Sequence, residues 1–253
     1  MSGSSTFLLI ADIAGYTRFM NLHRVSLAHA QDVVARLLEA VIDAAQPVLK
    51  LAKIEGDAAF FYAPAEQRGA NGAKVADRSK AIYQAFHAKA ADLRANTLCP
   101  CDGCQQAGML KLKLVGHVGD VAVQKVKQLT ELAGIDVILV HRLLKNNVPV
   151  PEYLLMTRPL FDLMRGSLRE RAAAVQLHIE ELGPTEAYYV DLTVDAGEPT
   201  PTLRLPFLKR VARHFGLVSR ALPYLVGAKE PCAGFRNVAD APSAASADIS
   251  AQK

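Results

Sequence analysis

The chain has 253 residues, a formal net charge of +4, and 51% hydrophobic against 21% charged residues, the balance of a globular protein with a sizeable core. The mild charge selects no polyanionic partner, and no uninterrupted apolar stretch is long enough to span a bilayer. The four cysteines, Cys99, Cys101, Cys104 and Cys232, are too few for a disulfide framework, and MSGSSTFLLIADIAG lacks the basic start and long apolar core of a signal peptide; both lead to the expectation of a cytoplasmic protein with reduced thiols.

Phe7 to Asp12 reads as a buried strand. From Ser26 to Gln46 apolar residues fall at helical spacing (Val33, Val34, Leu37, Leu38, Val41, Ile42), and Pro47 closes the helix. VLKLAKIEGDAAFFYAP predicts two strands around a turn at Glu55-Gly56-Asp57. QRGANGAK predicts a polar loop, and the alanine-rich Ala73 to Ala95 a second helix. MLKLKLVGHVGDVAVQKV alternates apolar and polar residues and predicts a hairpin turning between Gly116 and Asp120. DVILVHRLLKN predicts a third helix with Asp136 as its cap or first-turn residue. VQLHIEELGPTEAYYVDL predicts a last hairpin.

The order of strands and helices is the split βαβ pattern of an α+β, ferredoxin-like fold, an antiparallel sheet covered by helices on one face. The domain is expected over residues 5–195, with a cysteine-rich insert at about 97–106. DAGEPTPT supplies a linker at 196–202, followed by a basic, partly helical extension at 203–238 and a disordered tail at 239–253.

LLIADIAGYTRFM ends an apolar strand on a single carboxylate, Asp12, and turns at once through Gly15. In a split βαβ fold the KIEGD turn is the neighbour of that strand, so Asp57 approaches Asp12. Two carboxylates at adjacent strand ends suit a hard divalent ion, magnesium or manganese, whose remaining ligands are water and phosphate. Backbone N–H groups at Gly15, Tyr16 and Thr17 offer a cradle for phosphate. The plainer alternative is a helix cap at Asp12 and a simple hairpin turn at Asp57.

The motifs ADIAGYTRFM, KIEGD, GHVGDVAV and GIDVILVHRL occur in that order, and together they resemble the class III nucleotidyl cyclases. The cysteine-rich insert and the run VHRLLKN bring the resemblance closer to a branch described as a domain of unknown function. The resemblance implies a cyclase-like fold. It implies two metal ions held by Asp12, Asp57 and the main-chain carbonyl of Ile13, and a base contacted by Lys53 and Glu131. It further implies that Arg142 steadies phosphate charge, so that Arg142 and Lys53 would be the catalytic pair. It also implies a homodimer, because class III sites form between two domains.

Three departures from the family pattern stand out. The ribose-orienting asparagine falls on Ile138, the base-reading aspartate becomes Glu131, and the final hairpin EELGPTEAYY has no phosphate-binding lysine. Losing one preorganised donor commonly costs about a hundred- to thousandfold in rate. The leading expectation is therefore a degenerate cyclase domain that binds a nucleoside triphosphate, ATP, as a sensor or regulatory module. An active atypical adenylate cyclase is the first alternative, with His141 or Lys145 as a substitute donor. A zinc-stabilised interaction domain with a vestigial pocket is the second.

LCPCDGCQQ places Cys99, Cys101 and Cys104 where they can share one zinc ion, with Cys232, His87 or His117 as fourth ligand. Reduced structural thiols and a labile disulfide are the alternatives. His117 is expected to be structural. The extension LRLPFLKRVARHFGLVSRALPYLVGAK is basic and amphipathic. It is expected to pack on its own domain or a dimer mate, with an anionic membrane surface as the alternative partner. No pattern supports nucleic-acid binding.

Overall fold

Between Phe7 and Ile13 every residue except Asp12 is apolar, and an extended chain sends successive side chains to opposite faces. Such a strand has to be covered on both sides. The computed structural model describes residues 4–22, 27–65, 68–98, 107–127, 129–195, 203–212, 214–215 and 226–228, and it places this strand inside the sheet. β1 (Ser4–Ala14) pairs antiparallel with β3 (Ala58–Pro64) and with β4 (Lys111–Val126). β2 (Lys50–Glu55) extends the sheet beyond β3. On the other side follow β6 (Tyr153–Thr157), β8 (Gly183–Asp191) and β7 (Ala173–Ile179), giving the order β2-β3-β1-β4-β6-β8-β7. β5 (Leu129–Ala133) pairs with the far end of β4.

One layer is made by Phe7, Leu9, Ala11 and Ile13 packing with α2 (Leu27–Ala45) and α3 (Arg68–Asn96). α1 (Tyr16–Leu22) adds Phe19 to that layer. Leu8 and Ile10 point the other way, into a second cluster with Phe60, Val115 and Leu155. That cluster is closed by Val137 and Val140 of α4 (Ile135–Arg142). Two short helices, α5 (Arg158–Phe161) and α6 (Ser167–Glu170), return to the first layer through Leu160 and Leu168.

The α+β fold expected from the sequence is the fold observed, with four corrections. The sheet is not wholly antiparallel, since β4 and β6 run parallel; a parallel pair needs a crossover, and β5 with α4 supplies it. The helices are not confined to one face, because α4 packs beneath Leu8 and Ile10. The expected loop at QRGANGAK is helical from Arg68 onward; the alanine-rich run outweighs a cost of about 1 kcal/mol for each interior glycine.

The fourth correction concerns Gly116 to Asp120, which make no turn. β4 is one continuous strand, and its hairpin with β5 turns after Val126, at Lys127 with φ 56°. Gly116 and Gly119 serve close approach instead: a Cβ at Gly116 would run into Leu160, and one at Gly119 into the Asp136 carboxylate.

The first layer is tied to the sheet by a buried carboxylate. Glu152, 2% exposed, receives the Leu112 N–H at 2.9 Å and His87 Nε2 at 2.7 Å on Oε1. The Tyr83 hydroxyl donates to Oε2 at 3.3 Å, and Lys111 Nζ lies 3.6 Å away. Burial alone would raise the Glu152 carboxyl, but these donors outweigh it and hold it below the usual range. The group therefore contributes stability above its unfolded pKa and loses it as pH falls through the lower folded value. Glu152→Ala is expected to cost about 3 kcal/mol in urea unfolding at pH 7, since it strands buried donors, and the deficit against wild type should shrink below pH 4.5.

Candidate functional site

On the α4 side of the sheet, β1 presents Leu8, Ile10 and then Asp12. The register sets Asp12 opposite Ala58 on β3 and Lys113 on β4. The β2–β3 turn brings Asp57 beside it, and the Ile13 N–H donates to the Asp57 carbonyl at 3.2 Å. The Ile13 side chain is buried in the first layer, so only its backbone lies near the aspartates. Asp12 and Asp57 are thus brought together as their spacing suggested.

Their electrostatics are unfavourable without a cation. Burial first, and the Asp57 charge second, push the Asp12 carboxyl up to about 6, against the pull of Lys113. Burial also raises Asp57. Oxygen donors paired in this way fit a hard divalent ion. Among the described residues no third His, Cys, Asp or Glu joins them, which leaves the rest of such an ion's shell to water, a backbone carbonyl or a phosphate. Gly15, at φ +88°, makes the turn into α1, where Phe19 N–H closes on its carbonyl at 2.9 Å. Tyr16 packs its ring on the first layer and Thr17 is exposed.

A second group lies across β2, β5 and α4. Lys53 Nζ is 2.8 Å from Glu55 and 3.9 Å from Glu131, so the two residues expected to read a base do meet. Glu55 also accepts from His141 Nε2 at 2.9 Å, while His141 Nδ1 faces the Val137 carbonyl at 2.7 Å. Both neighbours of that ring are acceptors. Burial would raise Glu55, but Lys53 and His141 together hold it low.

Arg142 points elsewhere. Its two terminal nitrogens pair with Glu180 and Glu181, each at 2.8 Å, at the β7–β8 turn. Glu181 sits in the left-handed region at φ 66° to make this turn. The hairpin expected to lack a phosphate-binding lysine therefore offers two carboxylates to the arginine instead. Ile138, on the exposed side of α4 at 49% exposure, gives no polar contact.

His117 is structural. It is buried, its Nε2 donates to Asp136 at 3.0 Å, and the Thr157 hydroxyl donates to Nδ1 at 2.7 Å. Burial depresses its pKa against the pull of Asp136, which keeps the ring neutral. Asp136 is a first-turn residue of α4 but caps nothing. Its other oxygen accepts the Asp120 N–H at 2.7 Å and so pins the helix to β4. Cys99, Cys101, Cys104 and Cys232 lie outside the described residues, and His87 faces Glu152.

Sequence reasoning missed Lys113, Glu55, Tyr153 and Asn146. Lys113 alternates with the leucines of LKLKL and shares the Asp12 face, a signal readable once β4 is paired with β1. Its ammonium lies 5.8 Å above the Tyr153 ring, whose hydroxyl donates to Asn146 at 2.9 Å.

The comparisons with known proteins fit this geometry. A family model described as a protein of unknown function (DUF2652) matches residues 34–153. The Uncharacterized protein Rv2561/Rv2562 of Mycobacterium tuberculosis is 43% identical over 214 residues, spanning 81% of this chain and 94% of that protein. The chain belongs to the same family as this mycobacterial protein. Among solved structures, the adenylyl cyclase CyaB from P. aeruginosa matches with TM-score 0.57 at 13% identity, covering 74% of this chain and 94% of that one. The guanylate cyclase domain of RhGC from Catenaria anguillulae, in complex with GTP, matches with TM-score 0.54 at 12% identity over 76% of this chain and 98% of that one. A class III adenylyl cyclase-like ATP-binding protein from Pseudomonas aeruginosa matches with TM-score 0.55 at 14% identity, over 66% of this chain and 36% of that one. At such identities the likeness is one of fold: the chain has the fold of the nucleotidyl cyclase domains.

In metal-free protein Asp12 works against folding. Its folded pKa of about 6 exceeds the unfolded 3.8, so its penalty grows as pH rises between the two and persists above. Asp12→Asn is expected to raise the melting temperature at pH 8 in the presence of chelator, and to leave it unchanged below pH 3.8; scanning calorimetry at both pH values checks this.

Proposed function

We propose that this protein binds a nucleoside triphosphate, ATP, together with magnesium or manganese, and acts as a nucleotide sensor or regulatory module rather than as a fast cyclase. The observation that carries the reading is the Asp12–Asp57 pair, two half-buried carboxylates held at raised pKa at adjacent strand ends. A divalent ion bound there would neutralise the pair and present a positive charge to phosphate. Asp12, Asp57 and the Ile13 carbonyl would hold it, and backbone N–H groups from Gly15 to Thr17 lie next along the chain. Lys53 and Glu131, close enough to share one planar ligand edge, would contact the base as donor and acceptor.

The chain's own residues argue against rapid turnover. Ile138 cannot orient a ribose, and Arg142 is held by Glu180 and Glu181, so phosphate would have to displace two carboxylates to reach it. A homodimer belongs to the proposal, because a cyclase-like site is completed by a second domain. Ile54, Ile135 and Ile138 lie exposed on the elements that frame the Lys53 group, and would meet that second copy.

The test is titration of the purified full chain with ATP and manganese, followed by calorimetry, with cyclic AMP and pyrophosphate measured in parallel. The expected result is saturable, metal-dependent binding without product, weakened at least about tenfold in Asp12→Ala and in Asp57→Ala. Absence of binding at concentrations where the chain is dimeric by light scattering would overturn the proposal. Product that disappears in Asp12→Ala would replace it with an atypical adenylate cyclase.

A further inference from the structure

The segment from Leu203 onward is placed differently from what its amphipathic pattern suggests. Residues 207–212 are helical, and the Arg210 N–H closes on the Pro206 carbonyl at 3.1 Å. The segment is attached to the end of α3 by polar contacts. The Asn96 side chain receives the Leu205 N–H at 2.8 Å and donates to the Leu203 carbonyl at 3.4 Å, and Arg210 reaches the Thr97 carbonyl at 3.1 Å. Arg210 is turned inward far enough that its Nε is buried without a hydrogen-bond partner.

The apolar side chains are left outside. Phe207 is 68% exposed, Leu208 80% and Phe215 72%, with Leu203 and Val211 also exposed. Positions 207, 208, 211 and 215 fall within one arc of a 3.6-residue helix. An amphipathic helix that packs on its own domain buries this arc; here an arginine faces the domain and two phenylalanines face away.

Charge narrows what can cover this face. Residues 203–229 hold six Lys or Arg and no Asp or Glu. Two copies of the segment brought face to face would repel one another, which disfavours a second chain seated on the same surface. The occupant has to accept aromatic side chains and offer negative charge over a broad area. The interface of an anionic bilayer does both: headgroups supply the charge, and the acyl boundary takes up Phe207, Leu208, Val211 and Phe215.

We propose that the exposed apolar face of residues 203–215, flanked by the basic residues of this segment, docks the protein peripherally on an anionic lipid bilayer. No helix among the described residues is long and apolar enough to cross a membrane, so the contact would be interfacial. It does not depend on nucleotide binding, and its test leaves the Asp12 site untouched.

Full-length protein is mixed with phosphatidylcholine vesicles, with and without phosphatidylserine, and floated on a density gradient. Flotation is expected with phosphatidylserine only, and it should fall steeply with added salt. Phe207→Ser with Phe215→Ser should lower the partition coefficient at least about tenfold, and Lys209→Gln about fivefold. Both changes lie at exposed positions, so melting curves should match wild type and separate lost docking from misfolding. Val194→Ser, an equally exposed apolar change elsewhere, should float as wild type does. No flotation, flotation indifferent to phosphatidylserine, or flotation unchanged in the double variant would overturn the proposal. So would a shift from dimer to monomer in the double variant, which would give the face to a second copy.

Discussion

Everything in this domain is arranged around the burial of β1 on both faces. Because the strand lies between β3 and β4, its odd-numbered residues fill the layer under α2 and α3, while Leu8 and Ile10 fill the layer under α4. A slip of one residue would move every side chain to the wrong layer. The same register therefore fixes where the apolar row stops and Asp12 begins. Asp12 stands at a strand end, opposite Lys113 and beside the β2–β3 turn, because seven ladder pairs with β3 and eleven with β4 hold it there. A carboxylate placed by so much apolar packing can neither reach open water nor move away from Asp57, so burial first and repulsion second raise its pKa. Packing energy is in effect holding two like charges together.

The opposite holds for the basic groups. Lys53 meets Glu55 and Glu131, His141 meets Glu55, and Arg142 meets Glu180 and Glu181. These pairs are solvent-exposed to differing degrees, so each contributes little to stability, yet each sets the charge that an incoming anion would meet. An unpaired acidic half and a self-neutralised basic half form an asymmetric site. On the proposed reading, a cation would be drawn to the acidic half before a phosphate could reach the basic one.

Much of this was legible in the sequence. Apolar runs and turn residues located β1, β2, β3, β7 and β8, and the helical spacing located α2 to within a residue or so at each end. The approach of Asp57 to Asp12 followed from topology alone. Two of the errors share a physical origin in glycine. At Gly116 and Gly119 the residue was read as conformational freedom, whereas the fold uses its missing Cβ to admit Leu160 and Asp136; sequence does not distinguish the two uses. The strand YLLMT escaped notice because it is buried on both faces, so no alternation marks it. The carboxylates on Arg142 were unreadable for a different reason. They come from a turn 38 and 39 residues away, and only the sheet order β6-β8-β7 with α4 beneath it brings them near.

The contact between Asp136 and β4 connects these themes. His117, on the same face as Leu8, Ile10 and Asp12, is held neutral between Thr157 and Asp136, and Asp136 in turn grips the Asp120 backbone. This network fixes the first turn of α4, and α4 carries His141 and Arg142 at its other end. The gap left by Gly119 is what allows the Asp136 carboxylate to come close enough to make both bonds. A glycine in a strand thereby sets the position of an arginine two helical turns away. β4, which pairs with the strand carrying Asp12, and the helix carrying Arg142 are thus anchored to each other through this buried histidine, and the packing of one helix sets the relation between the acidic and the basic groups.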